Sequence, residues 1–203
     1  MVLSLITLAA TLPLVTTSTL QFEDLTHNKA DQARAEPKTE KCHFGIRASA
    51  RMNPRRKEEM EDMTLVLRDG VVHLDHKSAN SYHPVTAYHL PFPEQDHDGL
   101  VTTINEQNML NWIFVDVRTS QVRYGVKAEA VKHLTGPTSQ EEMEGREMRL
   151  TMFGWEGYVA AKDEVGDWAL YFDRDDDGLW RRFGGKNDDV VEVEVFRLPW
   201  NGM

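Results

Sequence analysis

Apolar and polar residues alternate with period two along much of the chain, and that period marks half-buried β-strands. Met63–Arg68 and Val71–His76 are two such stretches, separated only by Asp69-Gly70. Asp-Gly suits the tight hairpin turn in which both central residues take positive φ. A two-residue loop pairs Leu67 with Val72 and Leu65 with Leu74, and leaves His73 and Asp75 together on the other face. Trp112–Arg118 and Gln121–Lys127 predict a second hairpin around Thr119-Ser120, a weak primed-turn pair that also allows a longer loop. In the tight register Ile113, Val115 and Val117 face Val126, Tyr124 and Val122, while Asp116 meets Arg123. Arg149–Ala161 and Asp167–Asp173 predict a third hairpin closing around Asp163–Gly166. Gly154 and Gly157 inside its first arm signal a bulge, a sharp bend or a close backbone approach. Near the end Val191, Val193 and Val195 alternate with Glu192, Glu194 and Phe196, the pattern of a strand with one wet face.

Between these stretches the pattern is weaker. Residues 21–60 read as a polar arm, with Asn53-Pro54 as a helix start, Asn as N-cap and Pro in the first turn. Residues 77–110 read as irregular, punctuated by Pro84, Pro91 and Pro93, with a helical turn over Thr103–Leu110. Residues 134–148 read as an insertion loop in which Ser139 and Glu142 fit a capping box. Several hairpins without a βαβ rhythm predict a mostly β fold: a single antiparallel β-sandwich or β-barrel domain with short helical insertions. No internal repeat at a fixed period stands out. The domain division expected is a signal peptide at 1–18, a polar arm or linker at 19–61, and the β domain at 62–203.

Composition narrows the classes. The 203 residues are 40% hydrophobic and include five Trp and eight Phe, enough for one sizeable core. The formal net charge of −10 argues against a nucleic-acid binder and against docking on an anionic membrane. The local basic run Arg47, Arg51, Arg55, Arg56 and Lys57 is offset at once by Glu58, Glu59, Glu61 and Asp62. The single cysteine, Cys42, excludes an intramolecular disulfide. Its neighbour His43 points to the opposite face of an extended segment, so adjacency makes no dyad. Leu3–Val15 is an apolar run of signal-peptide length, too short to span a bilayer as a helix. It predicts a cleaved secretory signal and an extracellular location, although no Lys or Arg precedes it and Pro13 interrupts it. The alternative is a cytoplasmic protein with a buried apolar arm.

Three constellations can carry chemistry. Asp173-Arg174-Asp175-Asp176-Asp177-Gly178 matches the first half of a calcium loop, in which Asp173, Asp175 and Asp177 converge on a hard cation. The twelfth position, where a bidentate Glu belongs, is Gly184, so the competing reading is an acidic turn. His73, Asp75 and His76, with His83, His89, His97, Asp96 and Asp98 further on, offer ligands for a transition metal without a recognised spacing. Glu156, between Trp155 and Gly157, becomes a general acid if it points inward and is desolvated. The chain has no Walker loop, no G-x-G-x-x-G and no G-x-S-x-G.

Leu90–Val126 (LPFPEQDHDGLVTTINEQNMLNWIFVDVRTSQVRYGV) and Trp168–Leu179 (WALYFDRDDDGL) resemble an uncharacterised family of filamentous-fungal proteins, with no established activity. The resemblance spans most of residues 62–198. It implies a fungal source and no particular fold, substrate or catalytic residue.

Three functions follow from the residues. The first is a β-domain that binds a small apolar ligand or a protein partner. Its motive is the aromatic wealth of Trp112, Phe114, Phe153, Trp155, Tyr158, Trp168, Tyr171 and Trp180. Trp112, Phe114, Trp155, Glu156, Tyr158 and Trp168 are its candidate binding residues. The second is a metal-assisted or carboxylate acid/base enzyme of fungal secondary metabolism. The third is a secreted interaction protein with a calcium-stabilised acidic loop. Core filling is the competing account of the aromatic residues.

Overall fold

The computed structural model describes residues 38–49, 52, 54–79, 81–105, 109–143, 147–184 and 189–199. The expected signal peptide, the first part of the expected arm, the expected N-cap Asn53 and the middle of the expected turn at Thr103–Leu110 lie outside them. The strands are β1 (Cys42–Ala48), β2 (Met63–Arg68), β3 (Val71–His76), β4 (His83–Pro84), β5 (Thr86–Pro91), β6 (Asp98–Thr103) and β7 (Leu110–Val115). They continue with β8 (Val122–Gly125), β9 (Thr138–Met143), β10 (Glu147–Met152), β11 (Tyr158–Lys162), β12 (Trp168–Phe172) and β13 (Val190–Pro199). Among the described residues three short helices are inserted: α1 (Pro54–Met60), α2 (Lys127–Ala130) and α3 (Trp180–Phe183). None of the described helices is long and apolar enough to cross a membrane.

Every strand pairing is antiparallel, and the sheet closes on itself. One circuit runs β1–β2–β3–β12–β11–β13 and back to β1. A second runs from β1 through β5, β6, β7 and β8 to β3. Closure removes most free edges, which an open antiparallel sheet leaves exposed. The fold is thus the closed, mostly β domain that the alternation predicts.

Phe44, Leu65, Val72, Leu100, Leu170 and Val193 meet inside the closed sheet. Outside it, Tyr88, Leu90, Phe92, Val101, Trp112 and Phe114 form a second cluster that includes Ala130 of α2. Val159, Ala161, Ala169, Tyr171 and Leu179 form a third, against which Phe183 of α3 packs. Strands buried on both faces lose their alternation, which is why every residue of Trp168–Phe172 is buried.

The first hairpin has the expected register. Leu67 pairs with Val72 and Leu65 with Leu74, around Asp69 (φ 50°) and Gly70 (φ 80°). The second corrects the tight register by two residues: Ile113 pairs with Tyr124 and Val115 with Val122. The longer loop wins because Asp116 organises it, accepting the Arg118 and Thr119 backbone N–H groups at 2.8 and 3.2 Å. Val117 is left exposed at 54%. The Asp116–Arg123 pair survives at 3.9 Å.

Three weaker readings are also corrected. Residues 42–48 are not arm but β1, paired along its length with β13. Residues 86–91 and 98–103 form a hairpin rather than irregular chain. Residues 138–143 are strand β9: Ser139 bonds the Thr151 hydroxyl at 2.7 Å instead of capping a helix. The helix read from Pro54 is present as α1, anchored by the fully buried Met60.

Candidate functional site

The interior of the closed sheet is filled. Phe44, Leu65, Val72, Leu100, Tyr158 and Leu170 line a residual cavity of about 20 Å³. Ligand pockets usually run ~300–1,000 Å³. Trp112, Phe114, Tyr158 and Trp168 are all buried at 8% exposure or less. Trp112 packs edge-on against Phe92, Phe114 stacks on His133, and Tyr158 meets Phe172. Trp155 is half-buried, edge-on to Phe172. Glu156 is half-buried too and ion-paired with Arg149 at 3.0 Å. The faces of these aromatics are used in packing. The Trp180 side chain lies outside the described residues.

The surface offers more. A groove of about 350 Å³ lies beside the β2–β3 hairpin, lined among others by Arg68, His73, Asp75, Tyr82, Asp167 and Trp168. Two of its members, His73 and Asp75, share a face because they are two apart on β3. Trp168 joins them because β12 pairs with β3 through Ala169 and His73. Arg68, last residue of β2, reaches across. Its guanidinium lies 5.2 Å from the Tyr82 ring centroid and donates to the Tyr82 hydroxyl at 3.4 Å. It also bonds Asp167 at 2.6 Å and pairs with Asp163 at 3.6 Å. That clamp fixes the Asp163–Asp167 loop, whose own turn is organised by Asp163 Oδ1 accepting two backbone N–H groups.

His73 is 6% exposed. Burial lowers its pKa, and Arg68 beside it adds to the effect against Asp163, a backbone bond to Trp168, and Asp167. Arg68 donates toward His73 Nδ1 at 3.3 Å, which makes Nδ1 an acceptor and places the ring proton on Nε2. The ring is thus a neutral, fixed element of the wall. Tyr82, 41% exposed, is the one large aromatic presented to solvent here.

Asp75 turns back to accept the His76 backbone N–H at 2.8 Å, and His76 is exposed. His97 bonds Thr135 at 3.0 Å, Asp98 pairs with Lys38 at 2.7 Å, and His89 is buried elsewhere. Asp173 accepts the Asp177 and Gly178 backbone N–H groups with its two oxygens, and Asp175 and Asp177 are exposed. Among the described residues no group of three or more His, Cys, Asp or Glu is arranged to hold a metal ion.

His73 and Asp75, read from the sequence as metal ligands, and Trp168, read as a binding aromatic, line this groove with Arg68, Tyr82 and Asp167, which the sequence reading did not single out. Arg68 ends a strand and Tyr82 sits in a polar loop, so neither carries a periodic signal. A tyrosine flanked by Ser81 and His83 in a loop was the available clue.

A closed antiparallel sheet with short helical caps now has a family. The model of the fungal beta-trefoil domain matches residues 20–200, and the chain belongs to that family. The match agrees with the fungal resemblance and with a barrel-like β fold. No curated protein and no solved structure matches the chain.

Proposed function

We propose that this domain is a binding module that takes a small hydroxyl-rich ligand, of carbohydrate type, in the groove between the β2–β3 hairpin, Tyr82 and the Asp163–Asp167 loop. A β-trefoil domain often binds ligands or carbohydrates. The observation that carries the reading is Tyr82. An exposed ring held face-on by Arg68 gives the apolar face of a sugar ring something to stack on. Around it stand a fixed cation, a neutral imidazole and the carboxylates of Asp75 and Asp167, which pair with hydroxyls as donors or acceptors. The filled interior supports a surface site over an enclosed one.

Calorimetric titration with the best binder from an array of immobilised glycans tests this. Tyr82→Ala weakens binding roughly two- to tenfold, since an aromatic contact is worth roughly 0.5–1.5 kcal/mol. Unchanged affinity in that variant overturns the reading. Secretion is part of the same proposal, supported by the apolar run Leu3–Val15. The N-terminal residue of protein recovered from culture medium tests it, and an intact Met1 on intracellular protein refutes it.

A further inference from the structure

A second cleft, of about 440 Å³, opens on the other side of the Asp163–Asp167 loop, between that loop and α3. Its floor is Tyr171, 1% exposed, whose hydroxyl accepts a bond from the Gln121 amide at 3.3 Å. Arg182 lines it from α3. The Arg182 guanidinium lies 5.2 Å from the Tyr171 ring centroid and 5.5 Å from that of Phe183.

In this acidic chain several arginines already have carboxylates. Arg47, Arg68, Arg149 and Arg197 are each ion-paired. Arg182 is exposed and has no ion pair among the described residues, although acidic side chains outnumber basic ones by 33 to 23. Its guanidinium lies over two aromatic rings, which orient it. An arginine stacked in this way is ready to grip an oxyanion with two parallel bonds.

Lys162 provides a second positive charge in the cleft, although Asp189 at 3.3 Å already compensates part of it. Phe183 and Val165, the latter 78% exposed, add apolar surface to the lining. Glu164, also in the lining, opposes an anion, while Asp163 is already held by Arg68.

We infer that this cleft binds a small organic oxyanion, its charged head on Arg182 and its apolar body against Phe183 and Val165. The site is separate from the Tyr82 groove and does not depend on it.

The test uses the full chain and three probes followed by NMR: phenyl phosphate, inorganic phosphate and benzyl alcohol. Phenyl phosphate shifts the Gln121, Tyr171 and Arg182 signals and binds more tightly than inorganic phosphate, and benzyl alcohol does not bind. Arg182→Gln weakens phenyl phosphate tenfold or more, the loss expected of a charge-assisted pair of bonds. Glu164→Gln strengthens it, because a like charge is removed. Both side chains lie on the surface, and a thermal melt of each variant confirms that it is folded. Equal binding by wild type and Arg182→Gln, or shifts scattered over the surface, overturns the inference. So does a benzyl alcohol affinity equal to that of phenyl phosphate.

Discussion

Acidification should destabilise this protein through one buried histidine, and the size of the effect follows from its surroundings. His89 on β5 is 3% exposed. The Thr39 hydroxyl accepts the His89 backbone N–H at 2.9 Å and lies 3.2 Å from Nδ1. The hydroxyl bonds Nδ1, and Nε2 is buried with no hydrogen-bond partner among the described residues. A charged ring there would bury a cation. Burial lowers the pKa from 6.5 to about 4, with Asp98 opposing. The folded pKa is depressed, so between pH 6.5 and 4 the unfolded chain binds the proton and the folded chain does not. The stabilisation is complete above about pH 6.5 and is lost as pH falls toward 4. A shift of this size is worth about 3 kcal/mol. Urea melts of wild type and His89→Gln at several pH values between 7.5 and 4 measure it. The difference between the two curves cancels His73, whose pKa is also lowered by burial first, and the surface carboxylates. Wild type should lose about 3 kcal/mol more than the variant over that range. Parallel curves would show that the imidazole is protonated in the folded protein, and would refute the reasoning.

Other substitutions probe the packing. Leu170→Ala, at a side chain 1% exposed that already borders the central cavity, should cost about 3–5 kcal/mol in chemical denaturation, because the wall cannot collapse into a void already present. Gly157→Ala puts a Cβ 2.2 Å from the Trp155 ring and should destabilise by roughly 1–3 kcal/mol, while an unchanged melt would mean that the ring moves freely. Phe153→Asn should raise the melting temperature. Phe153 sits at φ 55° beside Gly154 at φ 78° in a tight turn closed by the Met152–Trp155 bridge, where Asn is at ease and Phe loses about 1 kcal/mol.

How much of this could be read from the residues depended on where each strand kept its contrast. The Asp69-Gly70 turn fixed its hairpin to the residue, because only a few side chains tolerate two positive φ angles in succession. Thr119-Ser120 has no such preference, so Asp116 decided the loop through bonds that no period reveals. β1 went unrecognised although Cys42, Phe44, Ile46 and Ala48 alternate with His43, Gly45 and Arg47. Gly45 faces the Phe196 ring, where a Cβ would come within 2.5 Å, and the segment reads as punctuation rather than strand. β9 is polar almost throughout and takes its shape from β10. The aromatic residues pointed to a binding site, but a filled interior and a lined pocket share one composition. Only the three-dimensional arrangement separates them. The groove was half legible for the same reason: His73 and Asp75 follow from strand period, whereas Arg68 meets Tyr82 and Asp167 through contacts distant in sequence.

The central claim is that the ligand sits on the surface beside Tyr82. The most direct measurement is a titration of isotopically labelled protein with a panel of mono- and disaccharides, read residue by residue by NMR. The account predicts that the binding sugar shifts residues 66–75, 81–82 and 163–168 together while Leu100, Ile113 and Leu170 of the interior stay still. Shifts concentrated on those interior residues, or none around Tyr82 with any sugar of the panel, would contradict it.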